Sequence, residues 1–141
     1  MADTAPLRLL AQDADDLAIL SAALQDAVGK VGDIDYEPKA RRLTVAFNRF
    51  RWEAGVRQRV RSALQFGGVL KVQTRKVRRE RPEAVVELLA LTFEPADAPG
   101  GTVTLSFAGG GDLRAEVECV DAVLADLSDP WPTPRTPGHD A

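Results

Sequence analysis

Between residues 31 and 119 the apolar side chains fall on alternate positions, in short runs broken by Gly, Pro and acidic turns. Leu43, Val45 and Phe47 make one such row, Val103, Leu105 and Phe107 another, and Leu113, Ala115, Val117 and Cys119 a third. Successive side chains of a strand point to opposite sides, so a period of two marks strands with one buried face. The bulk of the chain is therefore predicted to be consecutive β-strands.

Helical signals flank this region. Residues 7–10 read as a short strand, and Asp13-Ala-Asp-Asp16 supplies an N-cap and first-turn acids. Leu17, Leu20, Leu24, Ala27 and Val28 then recur on one helical face, which predicts a helix over residues 14–28 ending at a left-handed Gly29. Residues 31–37 read as a strand, 38–41 as a turn, and Leu43, Val45 and Phe47 as the buried row of the partner strand. Phe50 and Trp52 have the opposite parity. Either a bulge or a strand end touching a second layer explains the slip.

Residues 60–66 and 70–74 alternate on either side of Gly67-Gly68 and read as a hairpin. A two-residue loop would set Leu64 opposite Lys71 and mix core with charge, whereas a three-residue loop with a left-handed glycine pairs Phe66 with Leu70 and Leu64 with Val72. Residues 85–93 form an apolar strand, 94–101 a Pro/Gly connection and 109–112 a turn. Val120, Val123, Leu124 and Leu127 take helical spacing, stopped by Asp129-Pro130. Residues 1–128 are expected to form a single domain and the Pro-rich residues 129–141 a flexible tail. The predicted fold is α+β: a strongly bent antiparallel sheet or partly open barrel of about seven strands with a C-terminal helix, in a pleckstrin-homology-like topology, preceded by a short strand and a helix. That likeness concerns topology and carries no function.

The stretches Leu17-Ala-Ile-Leu-Ser-Ala-Ala-Leu-Gln-Asp-Ala-Val28, Phe47-Asn-Arg-Phe-Arg-Trp-Glu53, Pro99-Gly-Gly-Thr-Val-Thr-Leu-Ser-Phe-Ala-Gly-Gly-Gly111 and Glu116-Val-Glu-Cys-Val-Asp-Ala-Val-Leu-Ala-Asp-Leu127 resemble the family catalogued as domain of unknown function 2948. The resemblance runs from about residue 7 to residue 127. It implies a small soluble bacterial protein, typically alphaproteobacterial, with no assigned activity and no catalytic residues to carry over.

Charge is segregated along the chain. Of 18 Lys and Arg, 14 lie between Lys39 and Arg81, a window whose acids are Glu53 and Glu80, although the net charge is −3. Such asymmetry can hold a phosphate backbone, an acidic protein surface or the protein's own acidic flank. The expected hairpin would gather Arg57, Arg59, Arg61, Lys71 and Arg75 on one outward face, with Lys76, Arg78 and Arg79 as candidates to extend it. Phe50 and Trp52, interleaved with Arg49 and Arg51, resemble a base-stacking mixture; core or second-layer contacts are the alternative.

Other chemistry is thin. His139 is the sole histidine and lies in the tail, where no packed shell orients it as a base. Cys119, the sole cysteine, excludes an internal disulfide and reads as a buried small hydrophobe. Asp33 with Asp35, and Glu116 with Glu118, read as solvated strand faces, without a metal-ligand set. Gly109-Gly-Gly111 lacks the Lys-Ser/Thr of a phosphate loop and reads as a turn. Trp131 can dock on a partner or back on its own domain, or lie disordered. The apolar runs are too short to span a bilayer, and residues 1–6 lack a signal-peptide pattern, so a cytoplasmic location is expected. No cofactor, metal or enzymatic activity is expected. The expected function is a binding or adaptor domain contacting an anionic macromolecule, nucleic acid or acidic protein; the alternative is a structural module that self-associates or pairs its basic face with an acidic protein surface.

Overall fold

The computed structural model describes residues 5–137, which form one α-helix and eleven strands joined in a single open antiparallel sheet. Strand β1 (Arg8–Ala11) leads into α1 (Ala14–Ala23), capped by the Asp13 carboxylate, which accepts from the Asp16 backbone N–H at 2.8 Å. Leu17, Leu20 and Leu24 are buried, and α1 packs on β1 and on β7 (Val85–Pro95). The helix ends at Ala23, short of the predicted residue 28, because the chain turns through a left-handed Asp26 (φ 61°). Gly29 belongs instead to β2 (Val28–Lys30). A Cβ there would stand 2.9 Å from the Ala46 carbonyl oxygen and 3.1 Å from the Phe47 ring, so this glycine serves close strand approach and not a helix end.

A 3-10 turn (Val31–Asp33) bends the chain into β3 (Ile34–Glu37), splitting the single strand expected over residues 31–37. The remaining strands are β4 (Arg42–Phe50), β5 (Gln58–Phe66), β6 (Val69–Arg75), β8 (Gly101–Phe107), β9 (Asp112–Val117), β10 (Ala122–Asp126) and β11 (Trp131–Pro132). Their order in the sheet is β1-β10-β5-β4-β2-β7-β8-β9-β6, with β3 paired to β4 and β11 to β5. The expected rows Leu43/Val45/Phe47, Val103/Leu105/Phe107 and Leu113/Ala115/Val117 are buried and share one core with Leu64, Phe66, Leu88 and Leu124. Register shifts near Leu88/Ala90 and Val69/Lys71 interrupt the β7/β8 and β6/β9 ladders, and bulges of this kind bend a sheet around its core.

The α+β expectation of about seven strands and a C-terminal helix does not hold. Residues 122–126 form β10, hydrogen-bonded between β1 and β5, with Ala122 and Leu124 buried and Leu127 61% exposed. Residues 120–127 are apolar on both parities, and so short a run fits a helical or a strand period equally. The protein is mostly β, and the pleckstrin-homology-like topology falls with the missing helix.

The hairpin about Gly67-Gly68 is also absent. β5 pairs with β4 and β10, whereas β6 pairs with β9 at the far end of the sheet. The two glycines form a corner: the Gly67 N–H donates to Asp121 O, the Val69 N–H to Arg41 O, and Gly68 takes φ +65°. Val69 is fully buried and Leu70 is 52% exposed, so neither Phe66/Leu70 nor Leu64/Val72 is a pair. Cys119, expected inside, is exposed. Within the Pro-rich segment, Trp131 and Pro132 pair with Arg59 and Gln58, so Trp131 docks on its own domain. His139 lies outside the described residues.

Candidate binding groove

β4 continues its inward row past Phe47 with Arg49 and Arg51, which are 0% and 1% exposed. Their placement resolves the parity slip without a bulge: the buried row carries two arginines, and Phe50 and Trp52 take the other side. Arg49 is bound from two directions. Its guanidinium donates to both Glu53 oxygens at 2.9 and 2.8 Å and to both Asp126 oxygens at 3.0 Å, and Nε also reaches Ser62 Oγ at 3.2 Å. Asp126 accepts in addition from Ser62 Oγ and the Leu7 backbone N–H, while Arg51 bonds Gln58 and lies 3.6 Å from Glu53. Two cations and two anions thus close a network, buried at Arg49, Arg51 and Asp126 and open to solvent at Glu53, joining β4, β5, β10 and the start of β1.

The pKa values of Arg49, Glu53 and Asp126 shift toward the charged form. Burial opposes ionisation of Asp126, but the bonds from Arg49, Ser62 and Leu7 prevail and hold its carboxyl below the usual range. Glu53 is lowered, first by its bonds from Arg49, against burial. Burial likewise opposes the charge on Arg49, and its bonds to Glu53 and Asp126 outweigh it. A carboxylate with a depressed folded pKa contributes stability that is present above its unfolded pKa and lost as pH falls through the folded one. The urea midpoint is therefore expected to fall as pH drops below about 4, and Asp126→Asn should flatten that acid limb. An acid limb as steep in the variant as in the wild type counts against the network.

The five arginines and lysines expected on one face are dispersed. Lys71 and Arg75 lie on β6 opposite Glu116 and Asp112 of β9, and Arg75 bonds Asp112 at 2.8 Å. Arg61, on β5, bonds Asp33 at 2.9 Å and Asn48 at 3.3 Å. Arg59 donates to the Asn48 carbonyl and lines a cavity of about 500 Å³ shared with Asp26, Glu87 and Arg135; burial lowers its pKa against the pull of those two acids. Arg57 is exposed just before β5. Exposed pairs add little stability, but they cancel the field that a polyanion would feel. Phe50 is buried, and the Trp52 ring meets it edge-on at 4.7 Å while the Trp52 indole N–H donates to Gln25 O at 3.3 Å. The acidic pairs are engaged as well: Asp33 with Arg61, Glu118 with Arg41, and Glu116 facing Lys71.

One stretch of the basic window remains unmatched. Lys76, Arg78, Arg79 and Arg81, on the loop from β6 to β7, are exposed and form no ion pair among the described residues, and Glu80 is the one acid among residues 76–81. Hydrogen bonds within the loop set its shape: Arg79 N–H to Val77 O, Arg81 N–H to Arg78 O and Ala84 N–H to Arg81 O. The loop closes one end of a groove of about 500 Å³ between β3 and β6. Val31, Ile34, Asp35 and Tyr36 line one side and Val72, Thr74 and Val77 the other, and Arg79 and Asp35 are the charged residues of the lining. Gly32 N–H bonds Pro82 O and Val31 N–H bonds Ala84 O at the loop end; the Tyr36 hydroxyl donates to Val69 O at the opposite end. Glycine suits the first of these contacts, since a Cβ at residue 32 would stand 3.0 Å from the Pro82 Cβ and 3.1 Å from its carbonyl oxygen.

Sequence reasoning named Lys76, Arg78 and Arg79 only as an extension and missed the groove. The signal available was the run of four cations ended by Pro82; nothing local told that β3 and β6 would face each other. Fold and groove together define an open antiparallel β domain with a cationic loop beside an unfilled sheet gap. The chain belongs to the family described as protein of unknown function, DUF2948, which it matches over residues 7–139. No curated protein and no solved structure matches it. Among the described residues no helix is long and apolar enough to cross a membrane.

Proposed function

We propose that this protein is a non-enzymatic binding domain that holds an anionic macromolecule through Lys76, Arg78, Arg79 and Arg81. The observation that supports this reading is the contrast within the basic window: the other strand arginines meet carboxylates or carbonyls, whereas four cations without an ion pair among the described residues stand together on a loop held by its own hydrogen bonds. A fixed cluster of one sign attracts and orients an oppositely charged partner without first giving up internal bonds. The basic residues first expected to form the contact face are too dispersed to act as one surface.

Fluorescence anisotropy with labelled polyglutamate and with a labelled oligothymidine strand tests the reading. At low ionic strength at least one polyanion should bind, and the affinity should fall with salt as counterions are exchanged. Arg78→Glu/Arg79→Glu should weaken binding by roughly tenfold or more, equivalent to about 1.4 kcal/mol or more. Absence of binding to both polyanions at low salt would remove the proposal.

A further inference from the structure

The groove is bordered by two strand edges. β3 pairs only with β4, and β6 only with β9, among the described residues. In an antiparallel ladder alternate residues direct N–H and C=O toward the partner and the intervening ones direct theirs away. Each edge therefore turns a row of backbone donors and acceptors into the gap. The edges run in opposite senses, because Tyr36 meets Val69 at the start of β6 while Gly32 meets Pro82 beyond its end. Unpaired edges are usually blunted, and the register shift at Val69/Lys71 does this at the end where Tyr36 meets Val69. The regular pairing of β6 with β9 over residues 71–75 leaves the opposite edge of that stretch straight and open.

We infer that the gap takes an extended acidic segment of a partner protein, added as a strand between β3 and β6. This rests on the anion-binding reading and names its ligand. The side chains of an added strand alternate between two directions. One set would lie on Ile34, Tyr36 and Val72, and the other would point outward, within reach of the loop bearing Arg78 and Arg79. A segment alternating apolar and acidic residues sets its apolar side chains on the wall and its acidic ones toward the four cations of the loop, which outnumber Asp35, the acid of the lining; a basic segment is repelled by the loop. Nucleic acid fits less well: the ring lining the groove is Tyr36, whose hydroxyl is committed to Val69, and the exposed Trp52 lies at the end of β4, outside the groove lining.

The test uses the full chain at neutral pH and four probes: a capped octapeptide alternating Glu and Val, the same peptide N-methylated at alternate residues, its Lys-Val counterpart, and oligothymidine. Binding of the Glu-Val peptide is expected, together with slowed amide exchange on β3 and on residues 72–75. N-methylation should weaken it by about tenfold or more, since each lost backbone bond is worth roughly twofold to tenfold. The Lys-Val peptide should bind no better than the N-methylated one. If the N-methylated peptide binds as well as the parent and exchange is unchanged, strand addition is wrong while anion binding stands. Oligothymidine binding that depends on Arg78 and Arg79, without peptide binding, likewise overturns strand addition and assigns the loop to nucleic acid. If neither peptide nor polyanion binds at low salt, both readings fail.

Discussion

Replacing Arg49 with alanine should destabilise the protein by about 3–5 kcal/mol, enough to leave it unfolded or close to it at ambient temperature. Arg49 is fully buried and Asp126 nearly so, and the guanidinium is the group that compensates the carboxylate. Without it the folded state must either keep an unpaired buried charge or take up a proton, and both routes disfavour folding at neutral pH. The same change leaves the Leu7 end of β1 attached to a carboxylate that has lost its strongest partner. Urea unfolding of the wild type, Arg49→Ala and Arg49→Ala/Asp126→Asn measures this. Asp126→Asn in the second background should recover part of the loss, since it removes the orphaned charge. Additive losses from the two changes would mean that the pair is not coupled.

A comparable loss is expected from Phe47→Ala, about 3–5 kcal/mol, for a different reason. Phe47 is fully buried, its ring lies over Gly29 where β2 and β4 come together, and its neighbours in the row, Val45 and Arg49, have backbone positions fixed by the β4/β5 ladder. The space left by the ring cannot collapse easily between such strands, so both the transfer free energy and the cavity count against folding. Phe47→Leu, which keeps most of the volume, should cost about 1 kcal/mol. The pair of variants, compared by urea midpoint, separates burial from charge: neither should alter the acid limb attributed to Asp126 and Glu53.

Much of this core was readable in the sequence, because β4, β8 and β9 each bury an alternating apolar row: Leu43/Val45/Phe47, Val103/Leu105/Phe107 and Leu113/Ala115/Val117. The Asp13 cap was readable for the same kind of reason, a local residue type performing a local task. What failed was non-local. Gly67-Gly68 is as compatible with a corner as with a hairpin, and the choice is made by distant partners, β4 and β10 for β5 and β9 for β6. Val120 to Leu127 carries apolar residues on both parities, so strand pairing with β1 and β5, invisible locally, overrode helical spacing. Arg49 and Arg51 were read as part of a base-stacking mixture with Phe50 and Trp52, since residue type alone does not reveal that Asp126, distant in sequence, will meet Arg49. The groove escaped notice altogether because it is made by the absence of a strand between two others.

The most direct measurement compares two pairs of neutralised cations in one polyanion-binding assay at low salt. Arg78→Gln/Arg79→Gln removes charges that have no ion-pair partner among the described residues, whereas Lys71→Gln/Arg75→Gln removes charges that face Glu116 and Asp112. Binding lost in the loop variant and retained in the β6 variant is the expected result. Binding retained in the loop variant and lost in the β6 variant would contradict the assignment of the partner surface to the loop between β6 and β7.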